Sequence, residues 1–467
     1  CFITIFFLKR KNWYRFFNRW TGNWYQAYLL INSFIYLIAI LISARVINDL
    51  SSSFAAIIFI LFSAIPIMAM PVITSPINQS TATVSFLLWS LSFLFLFHFL
   101  RSIKRYQWVM AYIFLLAAFF TYEVILPLIT LTILLPWIFN PKEHRILTKR
   151  YIAHFIVPVL IVLAITYLWQ KGIAPQFMEV DSRLKFSIGQ SVAKLHSFVD
   201  AFVHQLPRLI FKTPAFFEWS ALMGGVLGVI ALMLANKELH QSSQHQIQAA
   251  NSMNAIAPGS PFRFLIGAIV CLISCSSIFI LSGESAVIGG YQARGLSSTW
   301  FAFALFLCAI LPSNLALRKI WFYCLGVFLV ICTLCFAVER NQTIQAWQLQ
   351  LYILEQANNL IAKNKVPSGA TIMADVPHYL NPNFNHEIVF SQPWDFGAAL
   401  AITNQNNIKA GPVIDSSRGE LRQLRLQNGQ VFAENFSASQ LQDFWIYRFN
   451  ASTKQSSLTP INSEHQF

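Results

Sequence analysis

The chain has 467 residues, of which 56% are hydrophobic and 11% charged, against about 45–50% and about 25% in soluble domains. With 43 phenylalanines and a mean hydropathy of +0.53, too few polar side chains remain to cover a water-soluble globule. A cytosolic enzyme, a disordered tail and a disulfide-framed secreted domain are thereby excluded, and a polytopic membrane protein is expected. The net charge of +14 is unevenly placed. Beyond Arg340 lie eight Lys/Arg and nine Asp/Glu; removing these from 33 and 19 leaves 25 basic and 10 acidic residues before it, a net of +15. That excess reads as positive-inside loops and interfacial anchors, not as a nucleic-acid surface.

In chain order, the basic start (Lys9, Arg10, Lys11, Arg15, Arg19) suits an interfacial helix. Because the sequence begins at Cys1 with an apolar stretch too short to span, the expectation is a chain truncated at its N-terminus, with at least one span missing. A span needs about 20 apolar residues for a hydrocarbon core about 30 Å thick. Candidate windows are Tyr25–Ile47, Ser53–Thr74, Ala82–Leu100, Trp108–Phe120, Val124–Phe139, Tyr151–Trp169, Trp219–Ala235, Phe264–Leu281, Trp300–Leu311 and Ile320–Val338, about ten in all. The short pair meeting at Thr121-Tyr122-Glu123 predicts two helices that turn near one membrane face. Basic loops at Arg101–Arg105, Pro141–Arg150 and Arg318-Lys319 predict the cytoplasmic side. Pro71–Thr81, Thr121–Glu123 and Ser282–Ser298 then fall outside, with the tail.

Between these windows, Val192–Phe211 carries apolar residues at helical spacing and reads as an interfacial helix bearing His196 and His204. Lys237–Ser260, rich in Asn, Gln and Ser, reads as a flexible cytoplasmic loop. His98 and His154, inside apolar runs, read as buried hydrogen-bonded residues. Six of the seven cysteines fall in apolar runs, without zinc-ligand spacing, so neither a metal site nor a disulfide is expected.

After Asn341 the composition changes. Gln342–Ala362 predicts a helix, Ala370–Asp375 a strand ending in a turn at Pro377, and Asn428-Gly429 a hairpin between strand-like flanks. Asp443–Phe449 predicts a last strand, with residues after Ala451 loose. The fold class expected is thus an all-α polytopic membrane protein, residues 1–339, followed by a small α/β extracytoplasmic domain, residues 340–467.

Ionisable residues are costly in lipid and mark functional candidates. Glu123 stands between two short helices; its plain reading is a carboxylate favoured by a helix N-terminus by roughly 0.3–1 kcal/mol, its sharper one a carboxylate lining a polar outer cavity. The second constellation runs from Ser282-Gly283-Glu284-Ser285 to Gly289-Gly290-Tyr291-Gln292-Ala293-Arg294-Gly295. It holds one carboxylate and one arginine, whose planar fork suits phosphate; a lone loop arginine at the headgroups is the plain reading.

The order of these features resembles the GT-C superfamily of membrane glycosyltransferases, including its protein O-mannosyltransferase-like members. Thr121-Tyr122-Glu123 with Leu126-Pro127 resembles the family's Ser-Lys-Glu turn, with Tyr122 in place of Lys. Phe62–Pro66 and Ala82–Arg101 resemble the span pair upstream of that turn. Trp24–Asn32 is similar to the segment entering the second span, and Tyr291–Arg294 to the aromatic-Arg element before a late span. The resemblance implies a hexosyl- or pentosyltransferase that takes a sugar from a polyprenyl-phosphate donor to a lipid, glycan or protein acceptor. It implies a bacterial inner-membrane location with the C-terminal domain in the periplasm, and no cofactor. It also implies a catalytic Asp upstream of Cys1, Glu123 orienting the site, and Arg294 with Tyr291 holding the donor phosphate; Glu284 is a further candidate. Alternatives of other classes are a lipid-linked sugar flippase or transporter and an inactive membrane scaffold. The nearest enzymatic rival, an O-antigen polymerase or ligase, would rely on Arg183, His196 and His204.

Overall fold

The computed structural model describes residues 24–65, 76–121, 125–139, 156–168, 188–205, 207, 210–211, 218–249, 261–275, 296–310, 315–381, 384–390, 396, 399–400, 408–416, 425–427, 430–433, 436–440 and 444–461. The chain divides into two compact units, Cys1–Glu339 and Arg340–Phe467.

The first unit is helical. Its elements are α1 (Trp24–Leu50), α2 (Ser53–Ser63), α3 (Pro76–Ser102), α4 (Arg105–Thr121), α5 (Leu126–Phe139), α6 (Val157–Leu168), α7 (Ile188–Asp200), α8 (Trp219–Ala249), α9 (Pro261–Ser274), α10 (Ser297–Ala309) and the first part of α11 (Leu315–Lys363). Polar pairs climb α1 and α3 together. Thr83 Oγ1 donates to Asn32 Oδ1 at 3.5 Å, the Ser43 and Ser90 hydroxyls lie 2.9 Å apart, and Arg101 Nη1 donates to Asp49 Oδ2 at 3.1 Å. The two helices therefore run parallel, with α2 returning between them. Each such bond satisfies a group that would be costly in hydrocarbon, and is worth about 0.6 kcal/mol on average there. The Arg101 guanidinium also lies 4.6 Å above the Phe97 ring.

Helix α10 is the centre of the bundle. Ser297 through Ala302 are all buried, as are Ala304, Leu305, Leu307 and Cys308. Phe301 meets Phe59, Phe86 and Trp89 at ring separations of 4.8, 5.4 and 5.5 Å. A helix apolar all round belongs in a protein interior or a membrane, and α10 is in the interior. By contrast α1, α6 and α8 turn Leu30, Phe34, Leu160, Ile165, Leu227 and Leu234 outward. Contiguous apolar surface of this kind marks a membrane-facing or binding surface.

The span number differs from the sequence expectation. Each of the ten windows carries a helix, but among the described residues three are long and apolar enough to cross a membrane: Leu30–Leu50, Ala82–Ser102 and Leu317–Lys363. The other apolar helices are shorter. Helix α2 is capped at Ala64, two residues before Pro66, which disfavours helix in the residue preceding it; α10 is all core. Hydropathy counts both as span, because it cannot tell lipid from protein interior.

Three smaller expectations are corrected in this unit. Helix α8 continues into the expected loop Lys237–Ser260 as far as Ala249, since Gln, Lys, Glu and Ala are strong helix formers; residues 250–260 lie outside the described residues. The helix expected over Val192–Phe211 is present but is not α-helical throughout: α7 begins at Ile188 and runs without a break into a π-helical turn, Ala201–Gln205. His98 is exposed, not buried, on the side of α3 opposite its packed face.

The second unit holds the rest of α11 and the strands β1 (Thr371–Asp375), β2 (Tyr379–Asn381), β3 (Phe384–Ile388), β4 (Lys409–Ile414), β5 (Arg425–Gln427), β6 (Gln430–Ala433), β7 (Phe436–Gln440), β8 (Phe444–Asn450) and β9 (Gln455–Pro460). The main sheet has the order β4-β1-β8-β9. Strand β1 pairs in parallel with both β4 and β8, and β8 and β9 form an antiparallel hairpin. All five β1 residues are buried, as expected of a central parallel strand. Ile353, Ala357 and Ile361 of α11 cover the sheet together with Phe390, Phe396 and Leu400. Strands β5 and β6 are antiparallel, with Gln427 opposite Gln430 across Asn428-Gly429.

Of the tail after Ala451, expected to be loose, Gln455–Pro460 is an edge strand, and residues 462–467 lie outside the described residues. Asn450 Oδ1 accepts from the Ser452 and Thr453 amides at 3.0 and 3.2 Å, and Lys454 takes φ 55°. This local turn returns a polar strand whose one inward residue is Leu458. So sparse an apolar pattern gives periodicity nothing to detect.

Candidate functional site

Glu123, Glu284, Tyr291, Arg294 and Arg183 lie outside the described residues; the chain on either side of the first four is described. Thr121, closing α4, and Ile125, just before α5, are both buried. Residues 276–295, outside the described residues, stand in the chain between Cys275, which follows α9, and Leu296, which leads into α10, again both buried.

These anchors share one end of the helical unit. Cys271 Sγ, near the end of α9, donates to the Pro127 carbonyl oxygen in the first turn of α5 at 3.7 Å. At the start of α10, the Ser298 and Thr299 hydroxyls lie against the Cys275 thiol. Trp300 Nε1 donates to the Phe62 carbonyl oxygen at 2.8 Å, and Tyr36 OH donates to the Ser63 carbonyl oxygen at 3.0 Å. The end of α2, the start of α5, the end of α9 and the start of α10 therefore meet. The cause is local: α9 packs antiparallel on α5, with Arg263 Nη1 donating to the Trp137 carbonyl oxygen at its other end. Buried hydroxyls, a phenol and an indole N–H gather where apolar side chains would be cheaper, and the phenol of Tyr36 and the indole of Trp300 tie helix ends together.

His196 and His204 are described and exposed. His204 Nδ1 lies 2.8 Å from Asp200 Oδ1, and Gln205 Nε2 donates to Asp200 Oδ2 at 3.0 Å. The two histidines are eight residues apart with Asp200 between them, and the pairing is that of a solvated helix face.

A polar constellation that the sequence reading missed stands at the carboxyl ends of β1 and β4. Asp375 closes β1 and Asp415 follows β4; both are buried. Asp375 Oδ1 accepts from the Ser416 amide at 2.9 Å, and Asp415 Oδ2 accepts from the His378 amide at 3.2 Å. Each aspartate thus caps the loop leaving the other strand, a reciprocal clasp. Arg448 of β8, in register with Asp375, places Nε 3.7 Å from Asp375 Oδ2. The edge beyond parallel strand ends is where open α/β sheets bind ligands, but here the oxygens named are taken up by loop backbone. Among the described residues, no group of three or more His, Cys, Asp or Glu is placed to hold a metal ion. A signal did exist: the runs Ile372-Met373-Ala374-Asp375 and Pro412-Val413-Ile414-Asp415 both end an apolar stretch in Asp.

Compared with known proteins, the chain matches no family model, no characterised protein and no solved structure.

Proposed function

We propose that this chain is a membrane glycosyltransferase that moves a sugar from a polyprenyl-phosphate donor to a lipid, glycan or protein acceptor. Transfer takes place on the extracytoplasmic face of a bacterial inner membrane. The observation that carries the reading is the meeting of helix ends around Pro127, Cys271, Cys275 and Trp300. It brings together described residues that stand next in the chain to the stretch with Glu123 and near the stretch with Glu284, Tyr291 and Arg294. A carboxylate and an arginine suit the chemistry. The acceptor hydroxyl must lose a proton as it attacks the anomeric carbon, which calls for a carboxylate base. The departing polyprenyl phosphate needs a cation, and an arginine fork matches its oxygens. In this reading Arg294 and Tyr291 hold the phosphate, Glu123 orients the site, and the outward apolar faces of the helices meet the polyprenyl chain.

The test uses undecaprenyl phosphate, the leaving group common to such donors whatever the sugar. Binding is measured to the full chain reconstituted in nanodiscs. Arg294→Ala should weaken it by about ten- to a hundredfold, the equivalent of the ~1.5–3 kcal/mol of a hydrogen bond to a charged group. Equal affinity in wild type and variant would sink the assignment.

A further inference from the structure

Helix α7 and the turn after it present three faces. At about 3.6 residues per turn, Phe198 and Ala201 fall on one side; Ala201 is fully buried and Phe198 packs against the helical core. Val192, Leu195, Val199 and Val203 fall together on a second side and are between 44% and 64% exposed. His196, Asp200 and His204 form the third, joined by the 2.8 Å contact of His204 with Asp200. A helix pinned to the bundle by one face has left a stripe of four large apolar residues uncovered, beside a polar edge.

We propose that this stripe is a lipid-binding surface: α7 lies along the membrane–water boundary, with Val192, Leu195, Val199 and Val203 in the acyl region and His196, Asp200 and His204 at the headgroups. Three observations favour the bilayer as occupant. Crossing would carry Lys194 and Asp200 toward the bilayer centre at a cost of about 2.5–3.5 kcal/mol each; lying flat avoids that cost and still buries the apolar stripe. The helices before and after it in the chain, α6 and α8, likewise turn Leu160, Ile165, Leu227 and Ile230 outward. Trp219, at the start of α8, is also exposed, and tryptophan favours the headgroup level. An apolar stripe bounded by a polar edge is the arrangement by which amphipathic helices sit in the interface. The inference does not depend on the transferase reading.

The test is site-directed spin labelling of the full chain, with Cys1 and Cys324 replaced by Ser, in vesicles of phosphatidylcholine and phosphatidylglycerol. Single cysteines go to positions 192, 195, 199 and 203, and to 196 and 204. The expected result is collision with oxygen exceeding collision with a water-soluble nickel complex several-fold at the first four, and the reverse at the last two. Equal access to nickel at all six would overturn the proposal. So would spin–spin broadening at Val199→Cys with low access to both reagents, which would place a second copy of the chain on the stripe.

Discussion

Gly411 holds the C-terminal unit through one atom's worth of space, and Tyr447 through two hydrogen-bond partners. A Cβ on Gly411 would stand 2.5 Å from the Ile372 carbonyl oxygen and 2.8 Å from the Met373 nitrogen, both backbone of β1. Neither can move without breaking the sheet, and β1 and β4 already shift register there. Gly411→Ala should therefore destabilise the unit by about 3 kcal/mol or more. Hydrogen exchange of Arg340–Phe467 in the full chain would read this as lost protection of β1, and unchanged protection would refute the packing argument. The Tyr447 hydroxyl donates to the Ile353 carbonyl oxygen at 3.1 Å, meets Ser456 Oγ at 3.0 Å, and is pushed up to about 12 by burial. A raised value means that the folded state holds the proton more tightly than the unfolded one. The stability so gained is complete below the ordinary tyrosine value near 10 and is lost as pH rises through about 12. Tyr447→Phe should cost about 1–2 kcal/mol at neutral pH and flatten this alkaline loss, as unfolding midpoints against pH would show. Neither role is written in sequence. Gly411 looks like an ordinary loop glycine beside Pro412, and Tyr447 acquires its partners from chain 94 and 9 residues away.

Among the elements, α8 and α11 approach more closely than large side chains permit. Ala221, Gly224, Gly225 and Gly228 line up at helical spacing on α8, the small-residue pattern that lets membrane helices touch backbone to backbone. A Cβ at Gly225 would stand 2.7 Å from Thr333 Oγ1 and 3.0 Å from Val330 Cα, and one at Gly228 2.6 Å from Leu329 Cδ2. Gly225→Val should push the pair apart and lower the unfolding temperature of the helical unit in detergent, while Gly224→Ala, which meets nothing within 4 Å, should leave it unchanged. Equal effects of the two would remove α8–α11 contact as the cause. Helix existence was legible in the windows, because apolar runs must pair their backbone internally in lipid or in a core. Helix length was not. Pro66 shortens α2's run, and the Gln- and Ala-rich stretch after Ala235 extends α8 beyond its apolar part.

For the whole molecule, three helices long enough to cross a membrane and the outward apolar faces of α1, α6 and α8 predict an integral protein. The full chain should stay with the membrane pellet after alkaline carbonate extraction; release into the supernatant would count against any span. The sequence offers two polar segments in an apolar chain for the proposed transferase site, and the four residues proposed for it stand outside the described residues. What the sequence could not supply was the meeting of the helix ends, since Pro127 and Cys271 are 144 residues apart and come together through α5–α9 packing.

The sequence alone determined apolar runs long enough to cross a membrane and a change of character near residue 340, because composition sets how much surface water can cover. It also determined most helices and the strands β1 and β8, because local periodicity and turn residues act over a few positions. Tertiary structure alone decided which apolar helices face outward and which, like α10, fill the core. It also joined Asp375 to Ser416 and Asp415 to His378 across parallel strands, and made a strand of the polar tail. Each of these depends on a partner far along the chain. Burial and pairing are properties of contacts, and hydropathy sums no contacts.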